Sequence, residues 1–175
     1  NCTETIHDLA RDIDEAIARQ VSLTSSVRDM QNEDPRFLAA AWGLDCEWQP
    51  GFEHGKDNPV AILQLSTTRT AYVIDVQSIC ESMTSESSKQ SVTVTPTKRE
   101  ILLNTSLLKL FCCDDVPIVG FGILQDLGKL AASFPHLSCF SMYSSVVDLQ
   151  VVSRVIYSKG TLPLLSSLQN MVASL

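Results

Sequence analysis

Asp45 and Glu47 stand two apart in the stretch WGLDCEWQP, residues 42–50, directly after an apolar run. Alternate side chains of an extended strand share a face, so both carboxylates point one way and Cys46 points toward the core. Their backbone separation of about 6–7 Å lets two flexible carboxylates converge on one cation. A third acid, Asp126, follows IVGFGILQ, where a strand pattern gives way to a helix pattern. A residue one turn into such a helix lies above the carboxyl end of the neighbouring strand, where α/β sheets keep their sites. Three carboxylates there repel one another, and burying a carboxylate without compensation is costly. Divalent cations remove that cost, and an oxygen-only donor set suits magnesium or manganese.

Each feature alone has a plainer reading. A DxE pair is common, and Asp126 by itself reads equally as a solvated helix residue. GFG, residues 120–122, is only a GxG; turn geometry explains it better than a nucleotide loop. Asp75 ends a strand or begins a turn, and Asp148 in VVDLQ reads as the N-cap of a following helix in preference to a metal ligand. His7, His54 and His136 are scattered in polar or turn contexts, and none is placed to complete a Ser/His or Cys/His pair. A serine or cysteine nucleophile therefore has little support.

The elements that must position the acids follow from periodicity. Ile6, Leu9, Ile13, Ile17 and Val21 recur at three-to-four spacing and define an amphipathic helix over residues 4–21. The run from Phe37 through Trp48 supplies the strand of the first two acids, and QPGFEHGKDNP is a turn. VAILQLST and TAYVIDV are strands of a hairpin or meander. Glu81–Lys98, rich in Ser and Thr, reads as a mobile surface insertion. REILLNTSLLKLFCC then reads as a helix, VPIVGF as a buried strand and GILQDLGKLAASF as a helix beginning near Gly122. LSCFSM reads as a short strand, VVDLQVVSRVIY as a strand end passing into a helix, and LPLLSSLQNMVASL as a last apolar helix. Antiparallel strands followed by strand–helix alternation predict a mixed sheet covered by helices.

Composition narrows the chemistry further. With 175 residues, 45% of them hydrophobic, the chain has enough for one globular domain, residues 1–175, with a sizeable core. A net charge of -7 without any Lys/Arg-rich block excludes a duplex-binding protein that grips many phosphates. It suits an acidic site that meets its substrate through metal ions. No apolar run reaches the length of a membrane span, and no signal-peptide pattern opens the sequence. The six cysteines show no CxxC and no zinc-type spacing, which predicts reduced thiols in an intracellular protein. Because Asn1 stands first, we read the sequence as a piece of a larger chain.

In order, these stretches resemble the DEDD superfamily of 3′-5′ exonucleases, in its ribonuclease D and Werner-type branch. WGLDCEWQP is similar to the first motif, NPVAILQLST with AYVIDV to the following hairpin, and VPIVGFGILQDLGKL to the second motif; VVDLQ with GTLPLLSSL matches the region after it. The resemblance covers roughly residues 38–175. It implies a ribonuclease-H-like α/β fold, a mixed β-sheet with helices on both faces. It also implies a two-metal phosphodiesterase, with Asp45, Glu47 and Asp126 as three of the four acids. Two Mg2+ or Mn2+ ions would lie about 3.5–4 Å apart and stabilise the attacking and leaving oxygens. The implied partner is single-stranded or 3′-ended nucleic acid. Trp48, Phe121 and Leu124 are the side chains that could wedge between bases, with core packing as the plainer role of each. The family's fourth aspartate, in a YxxxD or HxxxD motif, does not occur in the final stretch. That absence predicts a C-terminal truncation, with weak metal binding and little nuclease activity. The other function class left open is a catalytically incomplete module that binds nucleic acid or a protein.

Overall fold

The computed structural model of the chain describes residues 2–27, 40–49, 58–80 and 95–157, with only the backbone of 2, 3, 23–27 and 157. In order, its elements are α1 (Cys2–Val27), β1 (Trp42–Glu47), β2 (Ile62–Ser66), β3 (Ala71–Asp75), α2 (Val76–Cys80), α3 (Lys98–Phe111), β4 (Ile118–Gly120), α4 (Ile123–Ser133), a 3-10 turn (Ser138–Phe140), β5 (Val146–Asp148) and α5 (Leu149–Tyr157). Residues 37–39, most of the 49–59 turn, residues 81–94 of the expected insertion and the expected last helix lie outside the described residues.

The hairpin strands pair antiparallel, and β4 and β5 join on the other side of β1 in parallel, giving one five-stranded mixed sheet of order β3-β2-β1-β4-β5. The predicted α/β fold is therefore present. Alternation in β1 turns Trp42, Leu44 and Cys46 inward and leaves Asp45 and Glu47 exposed. Trp42, at 1% exposure, stacks on Tyr72 with ring centroids 6.2 Å apart, and the Tyr72 hydroxyl donates to Asp12 of α1. That contact puts α1 on the inward face, and Cys46 beside the backbone of Asp126 puts α4 there too. Helix α3 packs along α1. The predicted stripe of α1 holds through Ile6, Leu9 and Ile13, which are buried; by Val21 it has rotated out to solvent.

On the outward face Val73 is 65% exposed. A shallow depression of about 480 Å3 lies there, lined by Asp45, Gln64, Val73, Val119, Phe121 and Leu149, the first residue of α5.

Two boundaries differ from the sequence reading. The expected insertion ends earlier than Lys98, because Thr97 caps α3: its hydroxyl accepts from Glu100 N, and the Glu100 carboxylate accepts from Thr97 N at 2.6 Å. This reciprocal pair needs both residues ordered. The expected strand at LSCFSM is instead the 3-10 turn. The Ser141 N–H donates to the Ser138 carbonyl at 3.1 Å, the three-residue bond of a 3-10 turn and not of an extended strand. The Cys139 N–H donates to the Asn104 side chain and not to a ladder.

Candidate active site at the carboxyl end of the parallel strands

Strands β1, β4 and β5 run parallel; β4 and β5 end together at Gly120 and Asp148, while β1 continues past that level through Asp45 to Glu47. Gly120 is required by close packing: a Cβ there would stand 2.6 Å from the Leu44 carbonyl oxygen and 3.0 Å from Ile123 Cβ. Gly122, at φ +75°, turns the chain into α4 as its N-cap. The GFG segment thus acts as a turn. One turn later, α4 presents Asp126 at 8% exposure.

Burial raises Asp126 to a pKa of about 6; a hydrogen bond from the Cys46 thiol opposes this, and the charges of Asp45, Asp148 and Glu47 add to it. Four carboxylates at one end of the sheet therefore feel one another. Burial, and then the facing Asp126, keep the Cys46 thiol protonated far above its ordinary range. Asp45 Oδ1 accepts from Cys46 N at 3.0 Å, and Asp45 and Glu47 are both exposed. Asp148 takes the expected capping role: Oδ1 accepts from Gln150 N in the first turn of α5. It also accepts from Gly122 N, each bond at 2.9 Å, which ties β5 to the turn before α4. Asp75 likewise ends β3 and caps α2 through Ser78 N.

The three predicted acids reach the same strand end but are not gathered on one point. Among the described residues, their oxygens do not all lie within 4.8 Å of one another. Asp45 and Glu47 leave the outward face of β1, while Asp126 approaches from the α4 side beside Cys46. The donor chemistry fits a hard divalent cation: oxygen ligands only, one of them buried and disfavoured as an anion, two of them exposed with room to rotate.

Trp48, Phe121 and Leu124 are not core residues. Trp48 is 37% exposed beneath Lys129 Nζ, 5.4 Å from the ring centroid. Phe121 is partly exposed at the rim of the outward depression, and Leu124 is half exposed on α4. Lys129 itself was missed by sequence reading; its spacing three after Asp126 on a helix was the available signal. A second oversight concerns His136, read as not placed to complete a Cys/His pair: it lies with Cys80 and Glu100, their ligand atoms all within 4.8 Å.

The fold and this strand end together define the ribonuclease-H-like class of α/β domain. Among solved structures, the chain is similar to the Nibbler EXO domain of Aedes aegypti, at 22% identity and TM-score 0.52, covering 75% of this chain and 56% of that one. A weaker likeness is to the EXD2 exonuclease domain soaked in Mg and GMP, at 19% identity and TM-score 0.42, covering 81% of this chain and 57% of that one. The chain thus spans a little over half of the structures it matches. No family model and no curated protein matches it. Among the described residues no helix is long and apolar enough to cross a membrane.

Proposed function

We propose that the chain is a metal-dependent 3′-5′ exonuclease domain of the DEDD type, in the ribonuclease D and Werner-type branch. The observation that carries the reading is the order and placement of Asp45, Glu47 and Asp126 at the carboxyl end of parallel strands, on a fold shared with the Nibbler EXO domain. Asp45, Glu47 and Asp126 would hold Mg2+ or Mn2+. Bound there, the ions supply charge stabilisation of the attacking and leaving oxygens.

The chain's own groups do the rest. Glu47, exposed at the end of β1, orients the attacking water. Asp126 is placed by α4 and kept from solvent, so its carboxylate is a fixed point against which the mobile Asp45 closes. Phe121 and Leu124 offer apolar surface to terminal bases, and Trp48 a stacking face. Lys129, over Trp48, offers a cation for a backbone phosphate. Whether the sugar is ribose or deoxyribose is set by 2′-hydroxyl contacts, which none of these side chains defines.

The test is a pair of measurements on the parent chain and Asp45→Asn. Millimolar Mn2+ is expected to raise the melting midpoint of the parent by several degrees and leave the variant unmoved, since a ligand stabilises only the state that binds it. A variant that keeps the full shift defeats the assignment of Asp45. A 5′-labelled single strand, incubated with Mn2+, then separates the two function classes. Stepwise shortening marks a nuclease; since the chain without a fourth aspartate is expected to shorten the strand little, the binding module is marked by the absence of shortening in a longer chain that carries the YxxxD or HxxxD motif.

A further inference from the structure

We propose a second metal site, distinct from the carboxylate cluster: a zinc-class site formed by Cys80, Glu100 and His136. Three separate elements bring these residues together. Cys80 is the last residue of α2, Glu100 sits in the first turn of α3, and His136 lies in the turn after α4. Their Sγ, carboxylate oxygen and imidazole nitrogen all lie within 4.8 Å of one another.

The observation that demands an occupant is on Glu100. Its side chain is fully buried at 0% exposure. One oxygen, Oε2, accepts from Thr97 N at 2.6 Å in the capping box. The other, Oε1, is buried and has no hydrogen-bond partner among the described residues, with His136 Nε2 3.5 Å from it as an ion-pair partner when protonated. A buried carboxylate oxygen left unmatched is costly, and a cation is the usual remedy.

The donor set selects the cation. One sulfur, one nitrogen and one oxygen suit a borderline ion such as Zn2+, and exclude Mg2+ or Ca2+, which take oxygen. Tetrahedral zinc with bonds of about 2.0–2.3 Å places its ligand atoms roughly 3.3–3.8 Å apart. His136 Nε2 and Glu100 Oε1 already stand at that spacing, 3.5 Å apart, and the remaining separations, none above 4.8 Å, close by side-chain rotation. The His136 side chain is 25% exposed, so water can take the fourth position. The Thr97 bond fixes the carboxylate plane, as hydrogen bonds to metal ligands commonly do. Burial, with the Glu100 charge, lifts the Cys80 thiol to about 12 in the metal-free protein, so binding must expel that proton.

The consequence is mechanical. Cys80 and Glu100 bound residues 81–99, and a shared ion fastens the two ends of that segment to the turn after α4. Closing a loop in this way removes freedom from the unfolded chain.

The bland reading of the same contacts is a Glu100–His136 ion pair beside a thiol that merely fills space. Cobalt distinguishes them, because only thiolate ligation gives a sulfur-to-cobalt charge-transfer band in the near ultraviolet. The whole chain is titrated with Co2+ in an Asp45→Asn/Asp126→Asn background, which removes competing ligands near Cys46. We expect one cobalt per chain with that band, its loss in Cys80→Ser, and affinity at least tenfold weaker in His136→Ala. His136 is at the surface, so its variant remains foldable should Cys80→Ser fail to fold. Zn2+ is expected to displace the cobalt and to raise the melting midpoint, and His136→Ala to lose that rise. No thiolate band, a band that survives Cys80→Ser, or an equal zinc shift in His136→Ala overturns the proposal.

Discussion

Replacing Asp126 with asparagine is expected to raise the melting midpoint of the metal-free protein at pH 7.5 by about 4–8 °C. It should also abolish stabilisation by Mn2+. The direction follows from linkage. The folded-state pKa is about 6 against 3.8 for the ordinary group, with burial as the first cause. Below about pH 3 the group is protonated in both states and costs nothing. As the pH rises toward 6 the unfolded chain ionises first, and the folded state loses up to about 3 kcal/mol, taken as about 2 where water partly screens the site, a penalty constant above about pH 7. Asparagine keeps the shape and removes the charge, so parent and variant should melt together near pH 3 and separate near pH 7.5. Asp148→Ala provides the contrast. It removes an acceptor from both Gln150 N and Gly122 N, so it should cost about 1–2 kcal/mol with or without Mn2+. An Asp126→Asn variant that melts below the parent at pH 7.5 would show that the carboxylate is held by favourable contacts and not by a cation.

Gly120→Ala should lower the midpoint by about 6–12 °C. The new Cβ would meet the Leu44 carbonyl oxygen at 2.6 Å and Ile123 Cβ at 3.0 Å. Backbone cannot yield as a flexible side chain does. Relief requires β4 to move away from β1, where the two pair only at Trp42–Ile118 and Gly43–Val119. We expect a loss of about 3 kcal/mol, at the upper end for overpacking. Because Leu44 precedes Asp45 and Ile123 opens the helix of Asp126, the same push also separates the acids and should weaken the Mn2+ shift. Gly128→Ala on the exposed side of α4, with nothing within 4 Å of its Cβ, is the control and should stabilise by up to about 1 kcal/mol. Equal midpoints for the Gly120 and Gly128 variants would refute the close-packing account.

What the sequence revealed depended on the range of the interactions. The β1–β3 strands and α3 to α5 were legible because period-two and period-3.6 patterns are local. Asp75 at a strand end and Asp148 as a cap were legible for the same reason, each bonding an N–H group two or three residues on. LSCFSM misled because Leu137 and Cys139 alternate like a strand, while the decisive contact, Asn104 to Cys139 N, comes from a distant helix. For the carboxylates, sequence gave their order and shared end of the sheet but not their spacing. Asp126 arrives from the opposite face to Asp45, a consequence of how α4 crosses the sheet. The Cys80, Glu100 and His136 group had no local signature whatever, since its members meet only through tertiary packing. Reading cysteines for short spacings could not find it.

The two tryptophans give the molecule a pair of optically distinct reporters. Trp42 is sealed against Tyr72 at 1% exposure, and Trp48 lies at the solvent edge with an ammonium group over its ring. Emission from the first should be blue-shifted and change only when the sheet itself comes apart. Emission from the second should be red-shifted and respond whenever the lysine is drawn elsewhere, as by a phosphate or a stacked base. Selective quenching by iodide would reach Trp48 alone, so occupancy of the acidic end and integrity of the fold can be followed separately in one unlabelled sample.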